Sequence, residues 1–119
     1  MKSDDATNQR FARMSFGLVY PLYLAKVQRK GRSQAELDQV ISWLTGLDTE
    51  QLTGLIAQGA NFTDLFDAAT LHPNARLITG VICGVRVEEI ANPLTRKVRY
   101  LDKLVDELAK GRKMEKVLR

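Results

Sequence analysis

The chain has 119 residues, 45% apolar and 27% charged, with a formal net charge of +4; that is enough for one domain with one core and too little for two ordinary ones. The single cysteine, Cys83, excludes an internal disulfide, and no uncharged apolar run approaches the roughly 20 residues a bilayer demands. The polar stretch from Met1 to Met14 lacks the apolar segment of a secretory signal, so a soluble, cytoplasmic protein is expected.

Residues 1–13 read as a polar N-terminal extension, free to be disordered, ahead of a single domain over 14–119. The three prolines and eight glycines fall mostly between segments with helical apolar spacing. That pattern predicts an all-α fold of five to seven helices, one of them buried and central, with no strand. Phe16, Val19, Tyr20, Tyr23 and Val27 follow a 3.6-residue period, and Gly31 ends the run as a left-handed cap. Pro21 either opens this helix or kinks it.

Ser33 and Glu36 form a capping box for a second helix with the stripe Leu37, Val40, Ile41 and Leu44, flanked by Trp43 and stopped by Gly46. Asp48 or Thr49 caps a third carrying Leu52, Leu55 and Ile56, with Leu47 placed to staple onto Leu52. Asn61 opens a fourth around Phe62, Leu65 and Phe66. Leu77, Ile78, Val81, Ile82 and Val85 recur at helical spacing and predict a buried helix, in which Gly80 and Gly84 would admit a close neighbour. The clearest element comes last. Asn92 caps it, Pro93 opens it, Leu94, Val98, Leu101, Val105 and Leu108 form its seam, and Gly111 lies past its end. Lys103 with Glu107 and Asp106 with Lys110 are read as solvent-side pairs, and Met114, Val117 and Leu118 as a final turn docking on the body or on a neighbour.

Charge is unevenly placed. Residues 1–32 hold seven basic and two acidic groups, residues 33–92 two basic and eight acidic, and residues 93–119 nine basic and four acidic. Either the basic ends lie side by side facing an anionic partner, or they pack across the acidic middle and compensate, within a chain or between chains. The interleaving of Asp102, Asp106 and Glu107 among the cations favours compensation.

Asp38 to Ile56 imitates a helix-turn-helix, but Asp48 to Gly59 contains no Lys or Arg with which to meet phosphates, so an ordinary helical hairpin is expected. Cys83, in the apolar segment, reads as a core residue, and His72, alone and before Pro73, lacks a second soft ligand for a transition metal. No phosphate loop, nucleophile elbow or HExxH occurs. No catalytic residue, metal site or cofactor is therefore assigned. Arg86, Arg96, Arg99 and Tyr100 form the best candidate for anion recognition, weighed against plain salt bridging to Glu88, Glu89 or Asp102.

Met14-Ser15-Phe16, Val19-Tyr20-Pro21-Leu22-Tyr23, Lys30-Gly31-Arg32, Trp43-Leu44-Thr45-Gly46, Leu77-Ile78-Thr79-Gly80-Val81-Ile82-Cys83-Gly84-Val85-Arg86-Val87-Glu88-Glu89-Ile90 and the run from Arg99 to Gly111 occur together. In these motifs the chain resembles the bacterial domain-of-unknown-function 2200 family from about Arg10 to Arg119. Leu47 stands where such relatives usually place an aromatic, and the middle is more divergent. The resemblance implies a small all-α prokaryotic protein and brings no activity, cofactor or catalytic residue.

The reading that follows is an interaction or small regulatory module without cofactor. The apolar helix from Leu18 to Ala25 suggests self-association, with Tyr20, Tyr23 and Trp43 near the contact. One alternative is a nucleic-acid or anion-binding accessory protein using Arg96, Lys97, Arg99, Arg112 and Lys113; another is an enzyme with a small pocket near Arg86, Arg99 and Tyr100.

Overall fold

A computed structural model describes residues 2–119, with side chains from Ala6 onward. Seven helices occur among them: α1 (Lys2–Arg13), α2 (Phe16–Gln28), α3 (Gln34–Thr45), α4 (Thr49–Ala57), α5 (Phe62–Ala68), α6 (Pro93–Ala109) and α7 (Met114–Val117). Between α5 and α6 come a 3-10 turn (Pro73–Leu77), a two-residue antiparallel ribbon of β1 (Val81–Ile82) and β2 (Val85–Arg86), and a second 3-10 turn (Val87–Glu89). The fold is thus essentially all-α.

Local chemistry sets the helix starts. Three successive capping boxes open α3, α4 and α5: Ser33 with Glu36, Asp48 with Gln51, and Asn61 with Asp64, each side chain answering the other's backbone N–H. Ser15 caps α2 and Asn92 caps α6, with Pro93 at the first helical position. Pro21 lies inside α2. Gly46 closes α3 in the left-handed conformation at φ 72°, as its place after Thr45 predicted. The starts of α2 and α5 are tied by Phe16 N–H donating to the Ala60 carbonyl and Phe62 N–H to that of Met14, both at 3.0 Å.

The central helix is α6. It packs against α1, α2, α3, α5, α7, β1 and the second 3-10 turn. Val98, Leu101, Leu104, Val105 and Leu108 are buried along it, in one core with Phe16, Val27, Leu37, Ile41, Leu44, Phe62 and Leu65. The stretch set apart in sequence as a polar extension contains α1, which contacts α5 and α6 and brings Phe11 into this core.

The segment from Leu77 to Val85 departs from expectation: it is not a buried helix. Val81 pairs with Arg86 and Ile82 with Val85, across a Cys83-Gly84 loop whose φ values are +50° and +80°. Positive φ at both loop residues is what a primed two-residue hairpin turn requires, and a right-handed helix cannot hold it. Only Ile78, Ile82 and Val87 turn inward, while Leu77, Val81 and Val85 are exposed. Gly84 admits no close neighbour, since a Cβ there would meet open space. Cys83 is correspondingly exposed at the tip rather than buried in a core. The ribbon is clasped at its base, where Gly80 N–H donates to Glu88 Oε1 at 2.9 Å and Val87 N–H to the Gly80 carbonyl at 3.0 Å.

Cys83 occupies a left-handed position that asparagine tolerates better. Replacing Cys83→Asn is expected to raise the unfolding free energy in urea by about 1 kcal/mol, whereas Cys83→Val lowers it by a similar amount. Equal stability of the two variants would contradict the turn geometry.

Candidate functional site

The anion candidates do not converge as a group. Arg86 and Arg99 line one open groove of about 830 Å³, together with Asn8 of α1, Glu89, Asn92 and Thr95. Arg96 instead donates its Nε to the Ile90 carbonyl at 2.7 Å, and Tyr100 is buried and not among the groove-lining residues. Arg99 lies over the Phe11 ring at 4.7 Å and pairs with Asp102 at 3.2 Å; Arg86 makes a loose pair with Glu88 at 3.6 Å. Salt bridging to Glu88 and Asp102, the plain reading of these arginines, accounts for both. Among the described residues, no group of three His, Cys, Asp or Glu is placed to hold a metal, and no helix is long and apolar enough to cross a membrane.

The aromatic candidates are engaged within the chain. Tyr23 is buried and donates its hydroxyl to Asp102 Oδ1 at 2.6 Å. Tyr20 donates to Asp38 and accepts from Gln34 Nε2. Trp43 stacks on His72 with ring centroids 4.2 Å apart, and His72 Nδ1 accepts from Asn74 N–H at 2.9 Å, capping the first 3-10 turn. Burial, then the Asp38 hydrogen bond, pushes the Tyr20 phenol up to about 12. Burial, reinforced by the charge of Asp102, raises Tyr23 well above the ordinary range.

What α2 leaves outside is apolar. Leu18 is 76% and Leu22 67% exposed, and Pro21 and Ala25 are exposed on the same side. Positions 18, 21, 22 and 25 recur at three-, one- and three-residue steps and form one helix face. That face bears no charge. Tyr20 and Tyr23 point to the opposite side of the helix, toward Asp38 and Asp102.

The charge layout resolves into a third surface. Arg32 Nη1 donates to the carbonyls of Arg112 at 2.9 Å and Leu108 at 3.4 Å, so the ends of α2 and α6 lie side by side. Compensation comes chiefly from the carboxylates of the basic segments themselves rather than from the acidic middle. Asp106 pairs with Lys26 and Lys110, and buried Glu107 with Arg112 and Arg119 through Oε2. Glu107 is therefore not a solvent-side partner of Lys103, whose Nζ donates to the Val81 carbonyl at 3.1 Å. The five cations proposed from sequence stand at opposite ends of α6: Arg96, Lys97 and Arg99 lie in its first half, about 15–20 Å along the axis from Ala109, and Arg112 and Lys113 follow its C-terminal end.

Over residues 10–119 the chain matches the family described as an uncharacterized protein conserved in bacteria, DUF2200. It is similar to the crystal structure of uncharacterized protein SP1917 at 43% identity, with a TM-score of 0.86 over 92% of this chain and 91% of that one. Comparison with curated proteins found no match.

Asp102 and Asp106 sit one turn apart and titrate in opposite senses. Burial holds Asp102 above its ordinary 3.8, outweighing the Tyr23 hydrogen bond and the Arg99 pair. Burial also opposes ionisation of Asp106, but the hydrogen bonds from Lys110 and Lys26 reverse it and leave that group below 3.8. With a folded pKa above the unfolded one, the native state binds the extra proton, so the Asp102 contribution falls as pH rises through the carboxylate range. Asp106 does the reverse, stabilising above its unfolded pKa and losing that contribution as pH falls. Asp102→Asn lacks the first effect. Its unfolding free energy minus that of the parent, measured by urea titration, should therefore increase from acid to neutral pH, and a decrease would contradict the assignment.

Proposed function

The chain belongs to the bacterial domain-of-unknown-function 2200 family, and from that premise we propose that it is a cytoplasmic interaction or small regulatory module that works as a homo-oligomer rather than as an enzyme. The observation that carries this reading is the outward face of α2, where Leu18 and Leu22 stand one turn apart and mostly in water. An uncharged apolar stripe on a helix complements a second copy of itself about a two-fold axis.

An antiparallel α2 pair centred between Pro21 and Leu22 sets Leu18 opposite the partner's Ala25. It also sets exposed Arg29 opposite Met14 of the other copy. Met14 adjoins the turn where exposed Asp64 holds the Asn61 backbone, because its carbonyl accepts from Phe62 N–H. The charged groups Arg29, Arg13 and Asp64 thus stay outside the apolar centre. Burying each leucine side chain contributes roughly 1.5–3 kcal/mol, with four in a dimer. Association costs about 4–15 kcal/mol in lost freedom, so a weak dimer that fills with concentration is expected. Tyr23, buried on the opposite side of α2, supports this face from beneath.

The small-pocket enzyme reading has less to stand on. Tyr100 does not line the groove, and the two arginines that do are already paired with carboxylates.

Light scattering across a concentration series tests the proposal. The parent chain should move from monomer toward dimer mass, and the double variant Leu18→Glu with Leu22→Glu should remain a monomer with unchanged helical circular dichroism, since both positions are exposed. A parent chain that stays monomeric at the highest concentration, or a variant that still associates equally, would overturn it.

A further inference from the structure

The sequence Lys-Gly-Arg occurs twice, at 30–32 and 110–112, and the fold brings the two copies together. Each follows the end of a long helix, α2 or α6, and each glycine is left-handed, with φ +82° at Gly31 and +87° at Gly111. Arg32 of the first turn reaches the carbonyls of Leu108 and Arg112 in the second. The Leu108 carbonyl belongs to the negative end of the α6 dipole and the Arg112 carbonyl to the turn beyond it, so a guanidinium covers acceptors that would otherwise face an anion.

We propose that the paired Lys-Gly-Arg turns, with the start of α7, form one polyanion-binding edge that takes the phosphate backbone of double-stranded nucleic acid. Residues 26–36 and 106–119 together hold nine cations and four carboxylates. Of those carboxylates, Asp106 and Glu107 lie beneath the surface, with side chains 15% and 7% exposed, and Glu36 is taken by Arg32. Glu115 is the one acid of the four standing fully outside. Lys30, Lys113 and Lys116 are exposed with no carboxylate partner among the described residues, and Arg112 is 44% exposed beside Glu107. Arg29 likewise has no carboxylate partner among the described residues, its Nε donating to the Ala25 carbonyl at 3.4 Å, though the α2 contact proposed above would use it. Neither segment contains an aromatic residue, so unpaired bases would find no ring to stack on. A duplex, which turns its phosphates outward and its bases inward, is the polyanion such an edge fits, and recognition by charge alone is independent of base sequence.

Fluorescence anisotropy with a dye-labelled duplex of about 20 base pairs, titrated between roughly 50 and 200 mM salt, tests this. Neutralising three to four phosphates predicts a slope of log affinity against log salt of about −3. The double variant Lys30→Glu with Lys113→Glu should bind at least tenfold more weakly and lose about two units of that slope. Lys97→Glu, about 18 Å along α6 from its C-terminal end, should bind nearly as the parent does. The proposal is overturned by absence of duplex binding at the lowest salt, by equal losses in Lys97→Glu and the double variant, or by preference for single strands, polyglutamate or anionic vesicles over the duplex. None of these outcomes bears on the mass of the oligomer, so the two proposals fail separately.

Discussion

Two side-chain contacts one turn apart fix how α2 lies on α6, and most of the surface follows from them. Asp102 and Asp106 project from the buried central helix toward α2, where neither is free in water. Burying a carboxylate is costly unless it is paired and hydrogen-bonded. Tyr23 meets the first and Lys26 the second, three residues apart on α2. A helix that must turn positions 23 and 26 inward, together with Phe16 and Val27 for the core, has no choice about what remains outside. Leu18, Pro21, Leu22 and Ala25 are what remains.

The same contacts carry the chain forward to the basic edge. With α2 registered along α6, both helices end at the same height, and their glycine-terminated turns come within hydrogen-bonding reach through Arg32. Glu107 then collects Arg112 and Arg119 from beyond the end of α6, which draws the C-terminus back across the body. Asn74 adds to this closure by donating to the Arg119 carbonyl at 2.9 Å. The charges of the two terminal segments therefore offset each other beneath the surface and leave an excess of cations above it.

Elements whose signals are local were readable from sequence. The Ser33–Glu36 box, Asp48, Asn61 and the Asn92-Pro93 start act within three residues, so their spacing already describes the geometry. The run from Leu77 to Val85 is ambiguous in sequence, because a short apolar segment rich in β-branched residues satisfies helical and strand periods alike. Its deciding feature was the Cys83-Gly84 pair, which needs two left-handed residues and so makes a turn. Long-range polar partners left no trace in the sequence: Tyr23 and Asp102 are 79 residues apart, and nothing near either one announces the other. The candidate sites suffered from this most. Tyr23 reads as available for binding because its partner lies 79 residues away, whereas Arg99 has its partner Asp102 three residues on; the repeated Lys-Gly-Arg tripeptide is visible in the sequence, but nothing local places its copies together.

A double-mutant cycle on the Tyr23–Asp102 contact reads this central interaction directly. Tyr23→Phe, Asp102→Ala and the pair of them would be unfolded in urea at neutral pH. The account predicts a coupling energy of about 1–3 kcal/mol, since each single change strands a buried polar partner that the double change removes. Strictly additive losses would mean that the Tyr23–Asp102 contact does not hold α2 on α6, and the explanation of which face α2 exposes would fall.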